Sequence, residues 1–394
     1  IKLDGNFPTG TNNVALGDTA LDDGSLSGSH NTAVGHASLT ANTSGASNTG
    51  LGREALAITT TGSNNTAVGK LALYANTTAS NNTAVGADAL VSNTTGTENV
   101  AVGKGALDAA TTGDYNTGIG TGALSDHTTG SRNVAVGRNS LGSNTTASDN
   151  TAVGYSSLVL NTTGDSNSAL GFQALYSNTT GVRNTGIGAY SLYSNTTADR
   201  NTAVGTYSLY SNTTGARNQA FGNQALYYNT TGQYNTAVGY ATLGNNTTAN
   251  NNTGLGYSAL AANTTGHSNV AVGRIALDSV TTGTQNTAVG SDAGDALTTG
   301  AGNTFLGYGA AFQQTTAGNN TAVGYLALGA NTTGSTLTAV GSQALDANTT
   351  GTNNEAFGNN ALGANTTGSY NSAFGDSAMT LSLIHISEPT RQLA

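Results

Sequence analysis

At 394 residues the chain is long enough for two or three ordinary domains, yet only 8% of it is charged, Gly occurs 55 times, and Cys and Trp are absent; an ordinary soluble domain carries about 25% charged residues. A net charge of −9, with 11 Lys and Arg in total, gives no electrostatic footprint for a nucleic acid or an anionic membrane. The lack of cysteine excludes disulfides and thiolate chemistry, and no apolar run is long enough to insert as a membrane span.

In chain order, residues 1–12 read as an N-terminal cap or partial repeat, opening at Ile1 without a signal-like segment. A tandem array follows from 13 to 380. The pentad Asn-Thr-Ala-Val-Gly, or a near variant, begins at Asn13, then at Asn31, Asn48 and Asn65, and recurs at every seventeenth position as far as Asn371. The first spacing is 18, so one residue is inserted between Asp22 and His30, in a turn.

Numbered from its Asn, the unit reads N-T-A-V-G-x-x-A-L-x-x-N-T-T-G-x-x, in 22 copies. Position 5 is Gly in every copy, from Gly17 to Gly375, which asks for φ above zero or a close backbone approach at each turn. Position 4 is always apolar, with Leu16, Ile119, Ile187, Phe221, Phe357 and Phe374 among the alternatives to Val. Position 9 is Leu in 19 copies; the exceptions are Gly294, Ala311 and Met379. The first two mark a local repacking site, and the neighbouring Phe312 is expected to refill the volume.

Gly, Asn and Thr disfavour helix, and so short a unit cannot hold two helices with their turns. Thr-Ala-Val and Ala-Leu-x read as two short extended segments and Asn-Thr-Thr-Gly as a turn. The fold class is therefore all-β: a parallel β-solenoid, or β-roll, of about 22 coils. At about 4.8 Å per coil it forms a rod on the order of 105 Å long. Ladders at positions 4 and 9, helped by Ala at 3 and 8, form the expected core. Asn at position 1, replaced only by Leu337, and at position 12 supply amide ladders. One Val, one Leu and two Ala per coil make a thin core, so chains are expected to associate laterally through the small-residue face of positions 3, 5 and 8.

Few residues carry candidate chemistry. His30, His36, His127, His267 and His385 occupy unrelated positions and read as surface or turn histidines that cannot assemble a metal site. Asp165 and Asp199 share position 16, but a repeated flat polar face makes a poor glycosidase site. The string from Gly118 through Gly120 to Gly122 imitates a nucleotide loop with no helix after it. No cofactor, no metal and no catalysis are expected. The candidate ligand patch is instead residues 172–228. Tyr176, Tyr193, Tyr210 and Tyr227 form a position-10 ladder suited to a sugar, a protein surface or plain cross-strand packing. Arg183, Arg200 and Arg217 form a position-17 column that needs anions, with Asp165 and Asp199 as partial local neutralisers. Asn76, Asn144, Asn178 and Asn263 open Asn-Thr-Thr triplets, which read either as turn chemistry or as glycosylation acceptors. The regular Thr columns also suggest an ice-binding array.

Asn-Thr-Ala-Val-Gly-x-x-Ala-Leu resembles the head repeats of YadA-like trimeric autotransporter adhesins, whose motif is a small residue, Val-Ala-Ile-Gly and a following Ala; the match runs from Asn13 to about Thr380. The resemblance implies a left-handed roll, a homotrimer and an extracellular adhesin or surface fibre that projects a binding surface toward a host glycan or protein. The unit here is longer than the family's, the added length falling in the Asn-Thr-Thr-Gly turn. The array is similar, too, to repeat regions of phage tail fibres, which implies a virion shaft as the alternative. After Thr380 the repeat stops, and Leu381 to Arg391 resembles the translation of a transposase-type sequencing adapter, so 381–394 read as a non-native tail in which His385 and Glu388 carry no function.

Overall fold

The computed structural model describes residues 11–380; the segment 1–10 and the tail 381–394, with His385 and Glu388, lie outside the described residues. The chain is an all-β parallel β-solenoid with one three-residue strand per repeat. Contacts divide it into two compact units between Asn201 and Thr202. The first holds eleven strands from β1 (Val14–Leu16) to β11 (Thr185–Ile187), the second eleven from β12 (Thr202–Val204) to β22 (Ser372–Phe374). Within each unit every strand pairs in parallel with the next, Thr32 to Thr49 and Ala33 to Gly50 for example, so each side chain stands over its counterpart in the neighbouring repeat. The first register is 18, Val14 to Thr32. Its extra residue falls between Leu21, still bonded through its amide to the Ser38 carbonyl, and the buried Leu26.

Only one of the two expected extended segments is a strand. The Ala-Leu stretch is a tight turn in which positions 7 and 9 are left-handed: Gln173 has φ 51°, Tyr190 58°, Leu39 52° and Leu107 54°. A bulky residue in this region is an outlier that costs about 1–2 kcal/mol. It persists where the surroundings leave no alternative. Here the constraint is a coil-to-coil ladder that continues outside the strands: Leu39 N donates to Ala55 O (3.0 Å), Thr43 N to Thr60 O (3.0 Å) and, in the reverse sense, Asn64 N to Ala46 O (3.0 Å).

The core also differs from the expected one. Strand side chains alternate, and the inward one is the position-3 Ala; Ala33, Ala67 and Ala84 are fully buried, with the position-8 Ala and position-9 Leu beside them. Position 4 points out: Leu51 is 46% exposed, Leu255 46% and Phe221 39%. The small-residue face of positions 3 and 8 is thus consumed inside each coil and cannot be a lateral contact. At the repacking site Phe305 fills the gap, not Phe312. Phe305 stands at position 3, fully buried, against the point where a Gly294 side chain would begin, while Phe312 faces outward.

The two Asn columns are buried as expected and put amide ladders in the core beside the Ala and Leu columns. Asn31 and Asn42 Nδ2 both donate to Gly45 O at 2.9 Å, bracing the coil, and Asn31 Oδ1 accepts from Asn48 N (2.9 Å). Along position 12 an Asn Oδ1 commonly accepts from the next coil's side-chain amide, as Asn161 does from Asn178 Nδ2 (2.8 Å), whereas Asn144 Oδ1 accepts from Ala147 N (3.2 Å). Where the next rung is not Asn the acceptor is orphaned: Asn42 below Thr59, Asn93 below Ala110 and Asn263 below Val280 each keep a buried Oδ1 without a partner. Thr59→Asn is therefore expected to raise stability by about 1–3 kcal/mol, because the new amide serves Asn42 and itself accepts from Asn76. Ala110→Asn only moves the orphan upward, since His127 above it has no donor to spare. Thermal melts of the two variants beside the parent check this: a rise for Thr59→Asn alone is expected.

Candidate functional site

The left-handed Leu turns the following side chain away from the core, which sets position 10 at the surface. In the first unit Tyr176 and Tyr193 stack at 5.1 Å with planes 13° apart; in the second Tyr210 and Tyr227 stack at 5.2 Å and 11°. Rings at positions 6, 7 and 11, not singled out from the sequence, enlarge both groups. Tyr155 stacks on Phe172 (5.4 Å), Tyr190 meets Phe172 edge-on (5.3 Å) and also Tyr193 (5.8 Å). In the second unit Tyr207 meets Tyr210 (5.6 Å), and Tyr228 meets Tyr227 (4.6 Å). Their signal was present as column membership: any aromatic at a turn position lies one coil from its equivalents. Burial, then the neighbouring Tyr210, Tyr228 and Tyr207, push the Tyr227 hydroxyl up from its ordinary value.

This stacking decides what the ladder can offer. In each pair one face of either ring lies against its partner, which removes that face from any sugar and leaves the ring edge and hydroxyl toward solvent.

Arg183, Arg200 and Arg217 are exposed at position 17, all with left-handed backbones. Arg217 lies over the Tyr234 ring (5.2 Å) and donates to its hydroxyl. Asp165 and Asp199 do not neutralise the column. Their carboxylates accept the amides of Ser148 (2.7 Å) and Val182 (2.8 Å) one coil below, a bracing role shared by Asp114 with Thr97. Among the described residues no ion pair joins those aspartates to the arginines, and no ring or hydrogen-bond contact joins the Arg column to the Tyr ladder. The predicted patch is two separate columns.

Neither a family model nor a curated protein sequence matches the chain.

The remaining candidates resolve individually. His30, His36 and His267 are exposed, but His127 is fully buried as a rung of the position-12 ladder. Its Nε2 donates to Gly130 O (2.7 Å), which leaves Nδ1 to accept from Asn144 Nδ2 (3.2 Å) and fixes a neutral tautomer. Burial lowers its pKa, opposed by the Gly130 carbonyl. Counting from Asn116 would have placed it there. Among the described residues no three His, Asp or Glu gather to hold a metal. Asn76, Asn144, Asn178 and Asn263 are fully buried, and each donates to a carbonyl three residues on, so these triplets are turn and ladder chemistry and offer no acceptor to a glycosyltransferase in the folded chain. Asp108, Asp278, Asp295 and Asp346, at position 10 like the tyrosines, are half-sunk carboxylates, and desolvation raises the pKa of each. Among the described residues no helix is long and apolar enough to cross a membrane.

Proposed function

We propose that the chain is a rod segment of an extracellular homotrimeric fibre or adhesin of the YadA-like kind, without catalytic activity, whose work is to project a binding surface. The observation that carries the reading is the outward face of the strands. Position 4 is apolar in all 22 copies and exposed in many of them, while position 2 is Thr, Ser, Val or Gln except at Glu355. The other variable outward columns, positions 6, 7, 10, 11, 16 and 17, each carry charges. Within each unit, a nearly uncharged face with an unbroken apolar column at position 4 is more than a monomer ordinarily leaves in water. Its regular pitch fits a second and third copy of the same face, with like residues meeting in register. The interface moves from the small-residue face to positions 2 and 4, and the thin intracoil core still calls for it.

Light scattering on the whole chain is expected to give three times the mass of one chain. Leu51→Glu, Val85→Glu and Ile119→Glu together, each at position 4, are expected to return it to single-chain mass. A parent chain that is itself monomeric at micromolar concentration overturns the trimer.

A further inference from the structure

We infer that the position-6 column of the first unit is a docking track for a linear anionic polysaccharide carrying one carboxylate per disaccharide. Five Lys and Arg lie between residues 11 and 160, and four of them, Arg53, Lys70, Lys104 and Arg138, fall in this one column out of 17. All four are exposed. Arg53 is tied to Glu54 (2.9 Å), whereas no ion pair among the described residues engages Lys70, Lys104 or Arg138. Asp88, in the coil between the two lysines, makes no ion pair with either. The column then turns aromatic: the Arg138 guanidinium lies 6.0 Å from the Tyr155 ring, which stacks on Phe172, so Arg138 is held against the surface.

The spacing selects the ligand. Lys70, Lys104 and Arg138 follow one another at intervals of two coils, with the neutral Ala87 and Thr121 in the coils between them. At the interstrand spacing that is about 9.6 Å per cation in single file. This is close to the advance of one disaccharide in an extended polysaccharide, so a carboxylate on every second sugar meets a cation while the neutral sugars pass Ala87 and Thr121. A nucleic acid, charged at each nucleotide, would set surplus phosphates against Ala87 and Thr121, which offer no cation, and beside Asp88. Each contact is exposed and weak, so binding depends on several engaging together and falls with salt. The track does not depend on the oligomeric state of the chain.

The test uses the whole chain with long and short hyaluronan oligosaccharides, with dextran and a single-stranded oligodeoxynucleotide as comparisons, at low and physiological salt. Binding to long hyaluronan is expected, weaker for short oligosaccharides and at higher salt, with neither comparison polymer binding as well. Combining Lys70→Gln, Lys104→Gln and Arg138→Gln is expected to weaken it at least about tenfold. Combining Arg183→Gln, Arg200→Gln and Arg217→Gln, which removes the same charge from another column, is expected to leave it unchanged. No hyaluronan binding by the parent, equal loss in both triple variants, or equal affinity for dextran or the oligonucleotide overturns the inference.

Discussion

Gly120→Ala is expected to open the solenoid at its own coil, while Gly122→Ala, two residues on, leaves it intact. Both glycines have positive φ, 134° and 65°. At Gly120 a β-carbon would sit 2.5 Å from the Gly137 carbonyl oxygen, 2.7 Å from its carbon and 3.1 Å from Arg138 N, all backbone. Relief requires moving the next coil, whose Gly137 amide donates to Ile119 O at 2.7 Å. Strain in a region only Gly occupies readily, together with overpacking against an immovable neighbour, is worth about 3–5 kcal/mol. At Gly122 the nearest atom is Asn139 Oδ1, the free end of a side chain. Leu71 and Tyr190 already occupy that position at φ 61° and 58°. The change there is expected within about 1 kcal/mol.

Solenoid stability is a sum over coils and their interfaces, so the lesion is local. Hydrogen exchange is the suitable measurement: in Gly120→Ala, protection falls from about residue 103 to 137 and persists in distant coils of the same unit. If the two variants exchange alike, close approach is not what keeps Gly in this column.

Why the glycine was legible and the leucine conformation was not has a physical cause. A Gly repeated in 22 coils has one feature to conserve, its missing β-carbon, so the constraint shows in the residue itself. Leu at position 9 is inward as expected, but nothing in a leucine announces φ 52°; the backbone is forced by the ladder above and below it. The same limit misplaced position 4. In a three-residue strand, positions 3 and 4 cannot both face inward. The larger side chain looked like core, whereas the room inside the coil fits Ala33 and leaves Val34 half-exposed. The buried amides were readable because a ladder needs like residues in register. Once that register is accepted, His127 and the Asn-Thr-Thr triplets follow from counting. The aromatic columns were half legible: the four position-10 tyrosines were found, but in each stacked pair one face of either ring is covered by its partner, which only the geometry reveals.

Phe305→Ala is expected to be the most damaging side-chain truncation in the second unit, at about 3–5 kcal/mol. Phe305 occupies the Ala column, and its ring lies where Gly294, one coil below, lacks the usual Leu; a β-carbon on Gly294 would fall 2.6 Å from Phe305 Cδ2 and 2.8 Å from Leu277 Cδ2. Truncation leaves a void beside Leu277 and Gly294 that the coil-to-coil hydrogen bonds prevent from collapsing. Gly294→Leu alone is harmful for the opposite reason, because it drives a side chain into an occupied ring. Combining Phe305→Ala, Gly294→Leu and Ala311→Leu rebuilds the consensus of Ala at position 3 and Leu at position 9. Gly294 and Ala311 already have φ 61° and 53°, matching the other leucines of the column. The combined variant is therefore expected to regain most of the loss, a coupling of opposite sign to the single changes. Denaturant melts of the three single variants and the combination decide it. If the combination is no more stable than the sum of its parts, the phenylalanine is not standing in for the two missing leucines.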